Sequence, residues 1–500
     1  MQIPGTLQRI ATGPVFGGAR HWTRRLAVCL LLAAGSACLA ADAPATSKTV
    51  AHIWISSADG KQRLTSLAPI PSNAEAPRGL QIHVDPARQY QTIEGFGASF
   101  TDSSAWLIQR RMNATQRDAL LRELFDPETG LGLSLTRVPI GASDFSLAHY
   151  SFDDMPAGQS DPELSRFSIE RARVDVLPLV REARKINPSL KVFASPWSAP
   201  AWMKTGGSLI KGKLEPRNYD AYARYFDRTL TAFKAEGVPV YALTMQNEPH
   251  FEPSDYPGMR MEPAERAAFI SSHLGPMLAK KWPQVKLLDW DHNWDQPQSP
   301  LAVLADSRAR QYVAGIAWHC YGGDVSAQSE VHQKFPDIET WMTECSGGNW
   351  APKWSETLSW MTQNLVIGNV RNWGRGTILW NLALDEASGP HLGGCGDCRG
   401  VVTVNSKSGA VTRNVEYYVL GHASRFVKPG ARRIESDTGV DGLQTAAFRN
   451  AKGPAVLIVL NTAAERRAFS VVTGTDSFSA TLDAGSVATM TWSIKTASAH

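Results

Sequence analysis

The chain has 500 residues, of which 43% are hydrophobic and 20% charged, and its formal net charge is +4. That length allows a large buried core and more than one domain, and the composition is that of an ordinary globular protein. Residues 1–41 contain four arginines and no acidic residue, so the rest of the chain carries no formal net charge. These values argue against a nucleic-acid or anionic-membrane partner and favour a neutral substrate.

Residues 1–41 have the pattern of a secretory signal peptide. Arg24 and Arg25 precede an apolar run from Leu26 to Ala34, and small residues follow in GSACLAADA. The run is too short to anchor a helix in a bilayer, and no later stretch reaches the roughly 20 apolar residues that a span requires. We therefore expect export to the periplasm or the extracellular space, by the Sec or the twin-arginine route, without an integral membrane span.

Four cysteines follow that segment. In an exported protein, the spacing of CGDC favours a local disulfide between Cys395 and Cys398 over a redox dithiol. Cys320 and Cys345 are compatible with ordinary buried thiols. A zinc site would need another close pair of ligands, and the sequence has none with that spacing, so we predict neither a metal nor another cofactor.

Residues 48–91, at the start of the expected mature chain, read as strands, for example in TVAHIWISS and QIHVDPARQY. Residues 428–497, at its end, read as short strands separated by turns, such as AVLIVLN and SVATMTWSI. Neither segment alone makes a convincing domain. We predict that together they form one antiparallel β-sandwich beside the central domain; two separate β appendages are the alternative.

Residues 92–427 alternate between apolar strands and helical periodicity. The eight strand-like runs are QTIEGFGAS, LSLTRVPIG, KVFASPWS, YALTMQNE, KLLDWDHN, GIAWHCY, ETWMTE and GTILWNLAL. Amphipathic stretches lie between them, and NVEYYVLGHASRFV supplies the eighth helix. Strand–helix alternation of this kind predicts a parallel sheet with helices outside, and eight repeats predict a closed (β/α)8 barrel.

Polar and aromatic residues stand at the ends of seven of these strands. In such a barrel the carboxyl ends of the strands build the active site, whereas a single polar residue there is more often a turn former. The residues are Arg137, Trp197, Asn247, Glu248, Asp291, His292, His319, Tyr321, Glu344, Trp380 and Asn381. We therefore expect them to converge on one rim.

Two of these residues, Glu248 and Glu344, are carboxylates on the fourth and seventh strands. Glycoside hydrolysis needs such a pair, one to protonate the leaving oxygen and one to meet the anomeric carbon. Separations of about 5–5.5 Å give retention and wider ones inversion. Mutual repulsion should raise the pKa of one of them into the general-acid range, and we take Glu248 as the acid. The alternative is a pair of rim glutamates in salt bridges.

Neighbouring residues fit a sugar site. Asn247 can donate to a sugar hydroxyl, and Arg137 can orient a glutamate and favour its ionised form. Asp144 suits bidentate hydrogen bonds to sugar hydroxyls, although it could equally be a loop cap. Trp197 and Trp380 could each stack an aromatic face on a pyranose ring.

Several blocks resemble those of glycoside hydrolase family thirty, which includes lysosomal glucosylceramidase. They are IEGFGASFTDSSAW, LTRVPIGASDFS, ASPWSAPAWMKTGG, TMQNEPHFE, WHCYGG, MTECSGG and ILWNLALDEASGP. The resemblance implies a retaining enzyme with Glu248 as acid/base and Glu344 as nucleophile. It also implies sugar contacts from Arg137, Asp144, Trp197, Asn247, Tyr321 and Trp380, with His319 and Asn381 supporting them.

The resemblance leaves the substrate open. We expect a β-glucosidase of the glucosylceramidase type acting on a neutral carbohydrate or glycolipid, with sphingolipid metabolism as one setting. However, HLGGCGDCRG replaces the loop of the lysosomal enzyme beside the aglycone, which puts ceramide in doubt. An endo-β-1,6-glucanase, a β-xylosidase or a β-fucosidase is the alternative within the family. A non-catalytic carbohydrate-binding barrel is the alternative from another class.

Overall fold

The structure is a computed structural model that describes residues 48–73 and 79–494. The predicted signal peptide, residues 1–41, lies outside these ranges, as do the last three residues of the predicted sandwich segment. Within the described ranges, no helix is both long and apolar enough to cross a membrane.

Eight parallel strands close into a barrel, which confirms the predicted fold class. We number these barrel strands one to eight in chain order. They are Gly95–Ser99, Leu135–Pro139, Lys191–Ser195, Val240–Thr244, Lys286–Asn293, Val313–His319, Glu339–Glu344 and Gly374–Asn381. The eighth strand pairs with the first, so the sheet has no free edge.

Helices follow every barrel strand. In chain order they are Asp102–Arg110, Ala114–Phe125, Glu170–Val174, Val176–Ile186, Tyr219–Ala235, Pro263–Phe269, Gly275–Lys281, Gln298–Ala305, Ser307–Arg310, Ala327–Lys334, Trp354–Met361, Asn369–Arg371 and Val415–Ser424. Two π-helical turns, Ile270–Leu274 and Thr362–Gly368, and two 3-10 turns, Ala201–Met203 and Pro216–Asn218, lie among them.

The helix Ala114–Phe125 illustrates how local sequence sets these elements. Its start is fixed by a capping box, in which Asn113 Oδ1 accepts from the Gln116 N–H at 2.9 Å and Gln116 Oε1 accepts from the Asn113 N–H at 2.9 Å. Leu121 and Leu124, three residues apart, are buried against the barrel.

The inside of the barrel is a packed core. Apolar side chains from strands two to eight fill it, and the large ones are Leu135, Phe193, Leu288, Trp341 and Ile378. At the amino ends of the strands, Glu94, Lys191 and Arg375 form a group of ion pairs. The functional side chains are left at the carboxyl ends.

Strands from both ends of the described chain form one continuous sheet system. The strands are Val50–Ser56, Thr65–Ser66, Ile70–Pro71, Leu80–Ile93, Ala431–Ser436, Leu443–Arg449, Ala455–Asn461, Arg467–Thr473, Asp476–Leu482 and Val487–Trp492. Val50–Ser56 pairs with Val487–Trp492 from Ala51 to Ser56. Residues 48–91 and 428–494 therefore build the same β-sandwich.

One strand pair departs from the antiparallel prediction. Leu80–Ile93 has 14 residues and pairs antiparallel with Ala431–Ser436 but parallel with Arg467–Thr473. Its length lets one strand join both halves of the sandwich, and the partner in the second half runs in the same direction.

Candidate active site

The two glutamates reach one cavity of about 660 Å³ at the carboxyl ends of the strands. Glu344 is the last residue of the seventh strand, and Glu248 lies in the turn after the fourth. Glu248 has a φ of 45°, which is strained for a residue with a side chain, and its N–H donates to the Asp291 carbonyl at 3.0 Å. We call this space the site cavity.

The position of His319 limits the distance between the two carboxylates. Its Nδ1 lies 2.9 Å from Glu248 Oε1 and 3.9 Å from Glu344 Oε1. These two oxygens are therefore within about 7 Å of each other, inside or close to the separations at which paired carboxylates act on one glycosidic bond.

Arg137 and Tyr321 hold Glu344 in place. Arg137 Nη1 donates to Glu344 Oε2 at 2.5 Å, and the Tyr321 hydroxyl donates to Oε1 at 2.9 Å. Arg137 Nη2 also donates to Asn247 Oδ1 at 2.7 Å, which leaves the NH₂ of Asn247 as the donor for the cavity that it lines. Burial lowers the pKa of Arg137, but the charges of Asp291 and Glu344 raise it by more, so the pKa of Arg137 is raised overall.

Asp291 is the buried hub of the site, and we did not predict a substrate or catalytic role for it. It accepts from Arg137 Nη2 at 2.7 Å, and His319 Nε2 lies 3.1 Å from its other oxygen. It also accepts from three hydroxyls, on Ser195, Thr244 and Thr343. Burial raises the pKa of Asp291, but Arg137 and His319 lower it well below its usual range, so Asp291 is a carboxylate.

His319 bridges two carboxylates, Glu248 on Nδ1 and Asp291 on Nε2. An imidazole can donate from both nitrogens only when it is protonated. Burial lowers its pKa, but the charge of Glu344 and the bonds to Asp291 and Glu248 raise it from 6.5 to about 9. His319 is therefore an imidazolium in the neutral pH range.

The two glutamates differ in pKa, but in the order opposite to our prediction. Burial raises the pKa of Glu248, yet His292 and His319 outweigh it and lower that pKa. Burial raises the pKa of Glu344, and the charges of Glu248 and Asp291 raise it as well. His319 and Arg137 lower it by less, so the pKa of Glu344 is raised overall. The proton that we expected on Glu248 instead resides on its hydrogen-bond partner His319.

Asp144 lines the cavity as a buried carboxyl group. Its Oδ2 accepts from Trp380 Nε1 at 3.3 Å, and its Oδ1 has no hydrogen-bond partner among the described residues. Burial and the charge of Glu344 raise the pKa of Asp144 from 3.8 to about 8. A protonated Asp144 can both donate to and accept from a sugar hydroxyl.

The two tryptophans form a stacked pair at the cavity. Trp197 and Trp380 stack on each other with ring centroids 4.9 Å apart, and Arg137 lies over both rings. Both are almost fully buried, although both line the cavity. Each ring covers one face of the other, so each has at most one face left for a sugar.

Three predicted substrate contacts lie beneath the cavity. Arg137, His319 and Asn381 are not part of its lining. Asn381 accepts a hydrogen bond from the Thr101 hydroxyl at 2.8 Å instead. Arg137 and His319 therefore position other residues, whereas Asp144, Asn247 and Tyr321 face the cavity.

Two disulfides border the site. Cys395–Cys398 lies in the wall of the cavity. Cys320 and Cys345, expected as buried thiols, form a second disulfide between the residues that follow the sixth and seventh strands. The correction has a simple cause, because the ends of adjacent parallel strands bring the two cysteines to a Cα separation of 5.4 Å.

A metal fits this site poorly. Ligand atoms of Glu248, His292 and His319 lie within 4.8 Å of one another, a spacing that a metal ion could use. A histidine ligand must be neutral, whereas the pKa of His319 is raised to about 9 and both of its nitrogens already contact carboxylates.

Two carboxylates, amide groups and aromatic rings at the carboxyl ends of the strands of a (β/α)8 barrel form the kind of site that glycoside hydrolases use. The family model of the glycosyl hydrolase family 30 TIM-barrel domain matches residues 93–427, and that of the family 30 beta sandwich domain matches residues 430–490. The chain belongs to glycosyl hydrolase family 30.

Named relatives fall into two groups. The endo-1,6-beta-D-glucanase of Neurospora crassa is 34% identical over 82% of this chain and 88% of its own length. The lysosomal acid glucosylceramidase of Mus musculus is 31% identical over 81% of this chain and 82% of its own length. A solved endo-beta1,6-glucanase is 33% identical, with a TM-score of 0.82 over 89% of this chain and 99% of that one.

Proposed function

We propose that this family 30 hydrolase cleaves β-1,6-linked glucan within the chain, by double displacement with retention. The observation that carries the mechanism is the sharing of His319 by both glutamates, which keeps their facing oxygens within about 7 Å. Inverting enzymes separate the carboxyl groups by roughly 6.5–9.5 Å to admit a water molecule. The upper limit of about 7 Å between the two glutamate oxygens excludes most of that range.

Glu344 is the nucleophile in this proposal. Arg137 and Tyr321 hold both of its oxygens, so the carboxylate is aimed before the substrate arrives. In the first step Glu344 attacks the anomeric carbon while Glu248 protonates the departing oxygen. In the second step Glu248 removes a proton from water, which attacks the same carbon and releases Glu344.

His319 supplies the proton that Glu248 passes on. The proton lies in the hydrogen bond between His319 Nδ1 and Glu248 Oε1, and the charge of Glu344 helps to keep it there. When Glu344 forms a bond to the sugar, that charge disappears and the pKa of His319 falls. The pair then releases its proton more readily as the leaving oxygen needs it.

The names of relatives support a glucan as the substrate. This chain covers 88% of the length of two fungal relatives named endo-1,6-beta-D-glucanase. A solved endo-beta1,6-glucanase shares the fold of this chain over 89% of this chain. Glucosylceramide is the second candidate, because relatives named glucosylceramidase are 31–32% identical. The absence of formal net charge after residue 41 suits either neutral substrate.

Two variants test the mechanism. Glu344→Gln should abolish turnover, because the amide cannot form the covalent intermediate. Glu248→Ala should mainly slow substrates with poor leaving groups, and added azide should restore turnover and yield a β-glycosyl azide. An α-glycosyl azide, or near-normal rates in Glu344→Gln, would refute the assigned roles.

Product analysis tests the substrate. Pustulan, a β-1,6-glucan, should give oligosaccharides at early times, whereas an exo-acting enzyme would give only glucose. Glucosylceramide in mixed micelles is the parallel assay. Faster cleavage of glucosylceramide than of pustulan, compared by kcat/KM, would assign the second candidate.

We also propose that the protein is exported. The signal pattern in residues 1–41 supports this, as do two disulfides, which persist in oxidising compartments. Fractionation of the producing cells and sequencing of the mature amino terminus test it. A cytoplasmic protein that begins at Met1 would refute it.

A further inference from the structure

Exposed aromatic side chains gather at one place in the described part of the chain. Phe251, Tyr321, Trp350 and Trp360 are each between 44% and 55% exposed. All four line either the site cavity or a second cavity of about 400 Å³. We call these four residues the aromatic shelf. Exposed rings that share one surface mark a binding region rather than chance exposure.

The shelf connects the two cavities. Tyr321 and Trp350 line both of them, Phe251 lines the site cavity and Trp360 lines the second cavity. Tyr321 also donates to the nucleophile Glu344, so the shelf begins at the reacting atoms. A ligand that enters the site cavity can therefore continue into the second one.

In the proposed mechanism, the shelf lies on the leaving-group side of the scissile bond. The glycone has its own wall, formed by Asp144, Trp197 and Trp380 from the second, third and eighth strands. The bond to be cut lies between Glu248 and Glu344. The departing part of the substrate is therefore directed past the segments after the fourth, sixth and seventh strands, which carry the shelf; Trp360 lies in the helix Trp354–Met361.

Trp350 is held in position at the junction. A Cβ on Gly348 would lie 2.0 Å from the Trp350 ring, so the ring packs directly over a residue with no side chain. Gly348 pairs with Cys398 in a short two-stranded sheet, and the Asn349 N–H donates to the Asp397 carbonyl at 2.8 Å. The loop closed by the Cys395–Cys398 disulfide thus fixes this ring.

The second cavity combines aromatic rings with polar groups. Polar side chains of Ser346, Thr357 and Glu356 stand among its rings. A site for an acyl chain would present a continuous apolar surface, whereas sugars need aromatic faces together with hydrogen-bonding groups.

We propose that the aromatic shelf binds two or more glucosyl residues of the departing glucan chain, with Trp360 as the far contact. This inference rests on the proposed function, because it assumes a chain of sugars as the substrate. It explains how an enzyme with a deep site cavity can act within a chain, since the shelf continues the path beyond the scissile bond.

Binding without turnover tests the proposal. Calorimetry with the Glu344→Gln variant measures the Kd of β-1,6-linked gluco-oligosaccharides of two to six residues, and the same series is measured after adding Trp360→Ala. We expect affinity to rise with chain length in the first protein and the longest ligand to lose about five- to tenfold in the second. Trp360→Phe, which retains a ring, should keep most of that affinity.

Kinetics provides the second readout. Trp360→Ala in the active enzyme should lower kcat/KM for the hexasaccharide relative to that for an aryl β-glucoside, which ends near the scissile bond. Leu67→Ala, an exposed apolar position on the sandwich, is the control for a general surface effect. Equal Kd values for all lengths with and without Trp360 would overturn the proposal.

Two further outcomes separate the hypotheses. A wild-type enzyme that binds the oligosaccharides with a Trp360-dependent Kd but does not cleave pustulan would refute the proposed function while supporting the shelf. If Trp360→Ala impaired glucosylceramide hydrolysis and left the oligosaccharide series unchanged, the shelf would be a lipid site, and our proposal would be wrong.

Discussion

His319→Gln tests the electrostatic basis of the site. In the folded protein the pKa of His319 is raised from 6.5 to about 9. At 1.36 kcal/mol per pKa unit, this corresponds to about 3 kcal/mol in favour of the imidazolium. A raised pKa stabilises the fold fully below pH 6.5, and this contribution is lost as the pH rises from 6.5 to about 9, because the folded state then binds more protons than the unfolded one.

The assay is thermal unfolding of both proteins at pH 6 and pH 10. Unfolding entropy is about 2.1 cal/mol/K per residue, so 3 kcal/mol corresponds to about 3 °C for a protein of this size. We expect the variant to melt about 3 °C below the wild type at pH 6 and close to it at pH 10. Comparing the two proteins at each pH cancels the titrating groups that do not interact with His319.

Activity gives an independent check of the same proton. kcat/KM of the wild type should fall as the pH passes about 9, because Glu248 then loses the partner that returns its proton. The variant should lack this step. If the difference in Tm between the two proteins were the same at pH 6 and pH 10, and the alkaline limb of the activity profile persisted in the variant, His319 would not carry the proton.

Three other perturbations have defined outcomes. Asp144→Asn should remove the loss of stability between pH 4 and pH 8 that a carboxyl pKa raised to about 8 imposes, as measured by Tm against pH. Arg266→Met should destabilise the fold by about 3–5 kcal/mol, because Asp289 would be left as a buried unpaired charge; a ΔTm near zero would contradict this. Replacing Cys395 and Cys398 with serine should raise KM for glucan more than it lowers kcat, in steady-state assays, because their loop forms the cavity wall.

The alternation of apolar strands and helices was enough to predict the barrel. Each predicted strand is buried on both faces and flanked by an amphipathic helix, so the one-dimensional pattern carries the layer arrangement. The two glutamates were found for a related reason. The sequence shows where each strand ends, and in a (β/α)8 barrel the carboxyl ends of all strands lie at the same end of the barrel.

The electrostatics could not be predicted in the same way. Asp291 was noted only as a polar strand end, and its role depends on hydroxyls and charges from five other strands that meet around it. The pKa order of Glu248 and Glu344 depends on which carboxylates the two nitrogens of His319 contact, and the spacing of residues along the sequence does not reveal those contacts. Cys320 and Cys345 gave a usable signal, because both directly follow the ends of neighbouring strands.

The strand Val50–Ser56 has its longest pairing with Val487–Trp492, near the end of the described chain. The buried His422 connects the two strands, because its ring nitrogens lie within hydrogen-bond distance of the Ser56 and Thr489 hydroxyls. During synthesis the earliest described strand must therefore wait until nearly the whole polypeptide has emerged. Any product that stops short of residue 487 would leave an unpaired apolar edge, a ready template for aggregation. The β-sandwich thus makes the final segment a requirement for a soluble molecule, even though the catalytic rim contains none of its residues.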